Sequence, residues 1–272
     1  MVKPAAQRET FRRVHESGCF VIPNPWDLGS ARLLVQLGFP ALATTSAGFA
    51  WSVGRPDSGV SIQEALAHFT AIARGVDVPV NADFAGGFAA DPAAVSTNVE
   101  AAVRTGVAGL SIEDATGDAS DPLFDFTLAV ERIRAARAAI DRTGTGVILT
   151  GRSEGFIVGR PDLAETIRRL VAYAEAGAEC LYAPGLRTLS DVRAVVSAVA
   201  PRRVNVLALS GGPTVQQLAD AGVRRVSLGS GLARTAWTGF LEAAREIAER
   251  GTFAALEKAV PFSTMNAAFS AE

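Results

Sequence analysis

Short apolar runs and longer amphipathic segments alternate along this chain, and that rhythm restricts the fold more than any other feature. Apolar runs bounded by turn residues read as buried strands. They occur at Phe20-Val21-Ile22-Pro23, Ala41-Leu42-Ala43-Thr44, Val78-Pro79-Val80-Asn81 and Gly109 to Ile112. They recur at Gly146 to Leu149, Cys180-Leu181-Tyr182, Val204 to Leu209 and Arg225-Val226-Ser227-Leu228. Between them lie stretches with helical spacing, among them Ser30 to Leu37, Ile62 to Arg74, Phe126 to Ile140, Asp162 to Ala176, Asp191 to Val199 and Val215 to Ala221. One further helix opens at Asp91-Pro92, where a capping carboxylate precedes a proline whose missing N–H costs nothing in the first turn.

Eight strand–helix units in succession predict a parallel sheet covered by helices and closed on itself, a (β/α)8 or TIM barrel. No linker or low-complexity stretch interrupts the alternation, so residues 1–272 are expected to form a single domain. A doubly wound sheet is the alternative. It would gather its ligand at one switch point, whereas here polar residues follow many of the strands. Beyond the eighth unit, residues 252–272 form an apolar helical arm that either covers the barrel base or packs on a neighbouring subunit. Phe253, Leu256, Val260, Phe262 and Phe269 would leave a sizeable apolar patch on a monomer, which predicts a homodimer or homotetramer.

With 49% apolar and 20% charged residues the chain has ample material for a core. A net charge of −2 carries no polybasic footprint, which argues against nucleic acid or an anionic membrane as partner. The two cysteines, Cys19 and Cys180, lie in apolar surroundings and read as reduced structural thiols. No stretch resembles a signal peptide or a membrane span, so the expected location is the cytoplasm.

In such a barrel the active site lies at the C-terminal ends of the strands. Those ends carry Asn24, Trp26 and Asp27, then Thr44, Thr45 and Ser46, Asn81 and Asp83, Glu113 and Asp114, Arg152, and Asn205 within the seventh strand. Asp27 reads as a structural cap because a helix begins right after it, whereas either acid alone, Asp83 or Glu113, is equally well read as a helix cap. Their repeated position, each ending an apolar run, favours a shared site instead. Two such hard oxygen donors suit one divalent cation, Mg2+ or in its place Mn2+. Arg152 would bring a guanidinium fork to the barrel mouth for a carboxylate. His15 and His68 fall on predicted helices of the outer ring, and no nucleophilic triad is visible. Glycine-rich turns at Ser210-Gly211-Gly212 and Gly229-Ser230-Gly231 keep a phosphosugar isomerase or aldolase as an alternative.

Taken together, several pieces resemble the isocitrate lyase/phosphoenolpyruvate mutase superfamily, which includes 2-methylisocitrate lyase and carboxyvinyl-carboxyphosphonate phosphorylmutase. They are Asn24-Pro25-Trp26-Asp27-Leu28-Gly29-Ser30-Ala31, Thr44-Thr45-Ser46 through Gly54-Arg55-Pro56-Asp57, Val80-Asn81-Ala82-Asp83-Phe84, Ile112-Glu113-Asp114, Gly151-Arg152 and Val204-Asn205-Val206. The resemblance implies a Mg2+ enzyme that makes or breaks a C–C or C–P bond beside an enolate-like oxygen. By position, Asp83 and Glu113 resemble the acids that hold the metal, and Asn81 stands at the first acid of the family's D-x-D. Thr45 and Ser46 match the loop that clasps the substrate carboxylate, Asp57 an acid near the metal waters, and Arg152 the arginine that steadies the enolate oxygen. Asn205 matches a polar group facing the far end of the substrate.

The departures are as informative. Asn81 keeps an oxygen but removes a charge, and both lid motifs known in the family are absent: Asp114 is followed by Ala115-Thr116-Gly117-Asp118-Ala119-Ser120-Asp121-Pro122. The expected function is therefore a metal-assisted lyase-type enzyme for a small 2-oxo or 2-hydroxy carboxylate, with a non-catalytic binding or regulatory protein as the alternative. Pro184 and Leu207 occupy places where relatives that hold tricarboxylates carry polar side chains. The far pocket is accordingly expected to be short or apolar, lined by Tyr182, Leu207 and Trp51.

Overall fold

The computed structural model describes residues 4–270. Its strands are β1 (Phe20–Ile22), β2 (Leu42–Ala43), β3 (Val80–Asp83), β4 (Gly109–Glu113), β5 (Ile148–Arg152), β6 (Cys180–Tyr182), β7 (Arg203–Leu207) and β8 (Arg225–Ser227). All are parallel, in the order β1-β8-β7-β6-β5-β4-β3-β2. A backbone bond from Ala43 N–H to the Pro23 carbonyl (3.0 Å) closes the remaining seam between β1 and β2. The eight strands thus form the expected (β/α)8 barrel.

The helices are α1 (Pro4–Val14), α2 (Leu28–Gln36), α3 (Ser46–Ser52), α4 (Ile62–Gly75), α5 (Pro92–Arg104), α6 (Phe126–Thr143), α7 (Leu163–Glu175), α8 (Leu189–Val199), α9 (Val215–Asp220), α10 (Gly231–Arg250) and α11 (Phe262–Ser270). Their starts follow local chemistry. Asp27, Asp91, Asp162 and Thr188 each accept a backbone N–H from the first turn of the helix they precede, so Asp27 is the cap of α2. Among the described residues no helix is long and apolar enough to cross a membrane.

Strand alternation separates two environments. Leu42, Ala82, Leu110, Ile112, Leu149, Leu181, Val204, Val206 and Val226 point outward into one continuous core shared with the helices. At the base the inward-facing positions are apolar, and there Phe11 of α1 meets Ile22, Ala41, Ala108, Ile148 and Cys180. Above that plug the barrel lining turns polar. Because side chains along a strand alternate in direction, the burial that fixes the outward residues also fixes which polar residues look inward.

Two expectations change here. His15 is not on the outer ring: it lies just past α1, buried between the rings of Phe11 and Phe20 (centroids 4.5 and 5.0 Å). Between β2 and the helix at Ile62 the chain forms a further helix that the helical spacing did not mark, α3, whose entry requires Gly48, since a Cβ there would come within 2.7 Å of Thr45 Cγ2 and 2.9 Å of Trp26 Cβ. Cys19 and Cys180 are both free thiols. The arm turns back, and α11 packs along α2 of its own chain, leaving Phe253, Leu256, Val260 and Phe262 exposed.

Candidate active site

Arg152 ends β5 and is the hub of the barrel mouth. Its Nη1 lies 3.1 Å from Asp83 Oδ1 and 3.1 Å from Glu113 Oε2, which end β3 and β4. Two carboxylates on one nitrogen are close enough to share a hydrated cation. The side chains of Asp83, Glu113 and Arg152 each keep 18% exposure, so they face space rather than core. Glu154 completes the cluster by forking Arg152, accepting from Nε and, at 3.2 Å, from Nη2. The sequence reading passed over Glu154; its signal was the same strand parity two residues beyond Arg152.

The charges do not balance locally. Burial pushes the Glu113 carboxyl up to about 8, against the pull of Arg152 and with help from Glu154, Asp83 and Asp57. Burial also raises Glu154. Burial works against the Arg152 cation, but Glu154, Glu113 and Asp83 more than offset it and hold the guanidinium protonated. A cluster with more carboxylates than cations favours a further positive charge.

Behind the mouth stands a buried brace. Asp114 accepts hydrogen bonds from the Glu154 N–H (2.8 Å), the Tyr173 hydroxyl (2.6 Å) and Arg169 Nη1 (3.2 Å). It fixes the turn that presents Glu154 to Arg152. At the side, Asp83 Oδ2 accepts the Ser46 N–H (2.9 Å), and its own N–H donates to Thr44 Oγ1 (2.9 Å). Thr45 Oγ1 caps α3 through the Gly48 N–H.

Below the mouth lies a polar layer that the sequence reading also missed. Arg225, the first residue of β8, points inward and is 3% exposed. Its Nε donates to Asn205 Oδ1 (2.9 Å) and Nη2 to Thr150 Oγ1 (3.1 Å), while Nη1 lies 3.5 Å from Asn81 Oδ1. Asn205 in turn donates to Ser227 Oγ (2.9 Å). Asn81 therefore sits one inward step below Asp83 with its oxygen toward a guanidinium.

A cavity of about 180 Å3 opens here, and seven of the eight singled-out residues line it: Thr45, Ser46, Asp57, Asn81, Asp83, Arg152 and Asn205. Glu113, the eighth, reaches it through Arg152. Tyr182, Pro184 and Leu207 form part of the wall as expected, and burial pushes the Tyr182 phenol up to about 12, keeping it a proton donor. Two details correct the expected far pocket. Trp51 lies in a different groove, beside Trp237, and the floor is not apolar because Arg225 faces it. The segment after Asp114 closes on itself through the Ala115–Leu123 bridge and contributes nothing to the cavity wall.

A divalent cation suits this donor set as an open site. Among the described residues no three acidic, histidine or cysteine side chains form a ready-made chelate. Asp83 and Glu113 supply two carboxylates from adjacent strands, and Mg2+ ordinarily retains several waters beside one or two carboxylates.

Comparison with known proteins agrees with the fold. The phosphoenolpyruvate phosphomutase family profile matches residues 11–248. The chain belongs to this family, within the phosphoenolpyruvate mutase/isocitrate lyase superfamily of lyases, mutases and decarboxylases. It is 30% identical to the 2-methylisocitrate lyase of Escherichia coli K12 over 71% of this chain and 68% of that one. It is 27% identical to the oxaloacetate decarboxylase of Bradyrhizobium diazoefficiens over 71% and 68% of the two chains. A solved structure from Burkholderia cenocepacia J2315, for which a lyase or mutase activity has been suggested, superposes with a TM-score of 0.95. The two share 45% identity over 98% of this chain and 97% of the other.

Proposed function

We propose that the protein is a metal-assisted lyase-type enzyme for a small 2-oxo or 2-hydroxy carboxylate, acting by C–C cleavage or decarboxylation, or by the related C–P chemistry. The observation that supports it most is the convergence of Arg152 with Asp83 and Glu113 at the mouth of a cavity of about 180 Å3. In this reading Asp83 and Glu113 would hold Mg2+ or Mn2+ with water, Asn81 would add at most a neutral oxygen, and Asp57 would act near the metal waters. A cation held there would supply polarisation of a substrate oxygen and would offset the surplus of carboxylates.

The chain's own groups do the rest. Ser46 and the Thr45 turn place the substrate carboxylate, and Asn205 faces its far end. When the C3–C4 bond of a 2-oxo acid breaks, its electron pair forms the C2–C3 double bond of an enolate, the carbonyl pair moves onto the C2 oxygen, and C3 later takes a proton. Arg152 donates to that oxygen as its charge develops, which is worth most in a site that excludes water. Glu154 and Tyr182 hold the guanidinium plane in place.

The test is release of pyruvate or a related 2-oxo acid from oxaloacetate-like and 2-hydroxy acids, with and without Mg2+. Arg152→Lys keeps the charge but loses the fork, and kcat is expected to fall roughly 100- to 1,000-fold. Turnover of the variant at the native rate would refute the assignment.

A second reading, a binding protein without turnover, is favoured by one feature: residues 115–123 leave the cavity uncovered. It predicts affinity for the same acids with no product under any metal condition.

A further inference from the structure

We propose that Arg225 is a substrate-binding residue that receives a second carboxylate, so that the preferred substrate is a short dicarboxylate rather than a monocarboxylate. This rests on the function proposed above and names the substrate class of the same site. The sequence alone points the other way, to a short or apolar far end.

Arg225 is 3% exposed, yet its three protein partners, Asn205, Thr150 and Asn81, are all neutral oxygens. Among the described residues no carboxylate forms an ion pair with it. A buried guanidinium is ordinarily paired with an acid, because removing it from water is costly and neutral dipoles return only part of the loss. The residue best placed to pair with it is Asn81, and there the side chain is an amide. Of the five N–H donors of a guanidinium, these contacts use three, and the longest of them, at 3.5 Å, is barely a hydrogen bond.

Arg225 lines the cavity that Asp83 and Arg152 line from above. The cavity therefore has acids and Arg152 at its mouth and an uncompensated cation at its floor. A 2-oxo or 2-hydroxy acid engaged at the mouth would direct its remaining substituent down past Tyr182 and Asn205. A carboxylate there meets a pre-positioned fork, and Asn205, held by Ser227, keeps that fork aimed. The surroundings supply no alternative counter-ion: burial pushes the neighbouring Cys180 thiol up and keeps it in the neutral form.

The test compares two acids that differ only in a terminal carboxylate or methyl group, malate and 2-hydroxybutyrate, by titration calorimetry on the full-length protein with and without Mg2+. The native protein should bind malate roughly ten- to a hundredfold more tightly. Arg225→Gln should abolish that preference while leaving 2-hydroxybutyrate affinity within about twofold, and Arg225→Lys should retain part of it. Equal binding of both acids by the native protein overturns the proposal and leaves the enzymatic reading standing. So does a folded Arg225→Gln variant that keeps the preference, or one that weakens both acids alike, the mark of a purely structural role. If the glutamine variant does not fold, the native comparison and the lysine variant decide. A native protein that binds neither acid overturns this proposal together with the reading on which it rests.

Discussion

Asp114 lends itself to a sharp test, because its replacement by asparagine preserves shape while inverting hydrogen-bonding capacity. The carboxylate is 2% exposed and takes three donors: the Glu154 N–H, the Tyr173 hydroxyl and Arg169. In Asp114→Asn one oxygen becomes an NH2 group, and whichever way the amide turns it meets at least one donor with another. Arg169 keeps Glu165 and the Phe124 carbonyl but loses its buried counter-ion. Breaking a buried pair on one side typically costs about 3–5 kcal/mol. Tyr173→Phe removes a single hydrogen bond to a charge, at about 1.5–3 kcal/mol, and leaves the other two in place. The ordering Asp114→Asn worse than Tyr173→Phe is therefore expected in urea unfolding, with the midpoint shifting at constant slope. Since Asp114 also anchors Glu154, the asparagine variant should weaken substrate turnover even at temperatures where it is fully folded. An Asp114→Asn protein within about 1 kcal/mol of native stability would refute the account of the brace.

Acid should destabilise the protein through its histidines. Burial drives His15 to about 3 and His68 to about 4, below the unfolded value of about 6.5, so the unfolded chain binds more protons in between. Their contribution is complete above the unfolded value and falls as pH drops, by up to about 2 kcal/mol per histidine at pH 5. Glu113 and Glu154, whose carboxyls burial raises, favour the folded state as pH falls, so the histidine effect is read as a difference. A His68→Gln variant should lose less of its urea midpoint between neutral pH and pH 5 than the native protein, and an equal change in both would contradict this. Gly151→Ala should cost about 1–3 kcal/mol and disturb Arg152, because its Cβ would come within 2.9 Å of Tyr173 Cβ and 3.1 Å of Ala178 Cβ; an unaffected melting temperature would count against it. The exposed apolar residues of the arm predict a dimer or tetramer by light scattering at micromolar concentration, and a monomer would remove that expectation.

Strand–helix alternation made the barrel legible, because outward residues must be apolar to meet the helices and the period of that pattern is local. Asp83 and Glu113 were legible for the same reason: an acid that ends a buried run has few places to be except the mouth. Arg225, Glu154 and the far pocket were not. Arg225 opens a short strand, where a charge reads as solvent-facing, and only barrel closure turns it toward the axis. Glu154 lies beyond the strand end, where parity is a weak guide. His15 was misplaced because the plug beneath the barrel is a tertiary arrangement, and nothing in the spacing of the first helix distinguishes a stopper from an outer-ring helix. Trp51 was misplaced because α3 carries it away to another groove, which residue spacing alone does not reveal.

The seam between β1 and β2 has a consequence for how the molecule opens. Where other neighbouring strands share a ladder, this pair relies on Ala43 N–H to the Pro23 carbonyl and on Asn24. The Asn24 amide donates to the Thr44 carbonyl and accepts from Leu228 N–H and Gly229 N–H at 2.8 and 2.9 Å. One side chain thus acts as a clasp across three strand ends. Thr44 on that clasp also holds the Asp83 N–H, so slackening at the seam is felt directly by the acid at the mouth. In deuterium exchange the amides of Ala43, Leu228 and Gly229 should therefore lose protection together, earlier than the β4–β5 ladder. A small acid held at Ser46, with a cation on Asp83, would slow all three at once, making the weakest joint of the barrel a reporter of what its mouth contains.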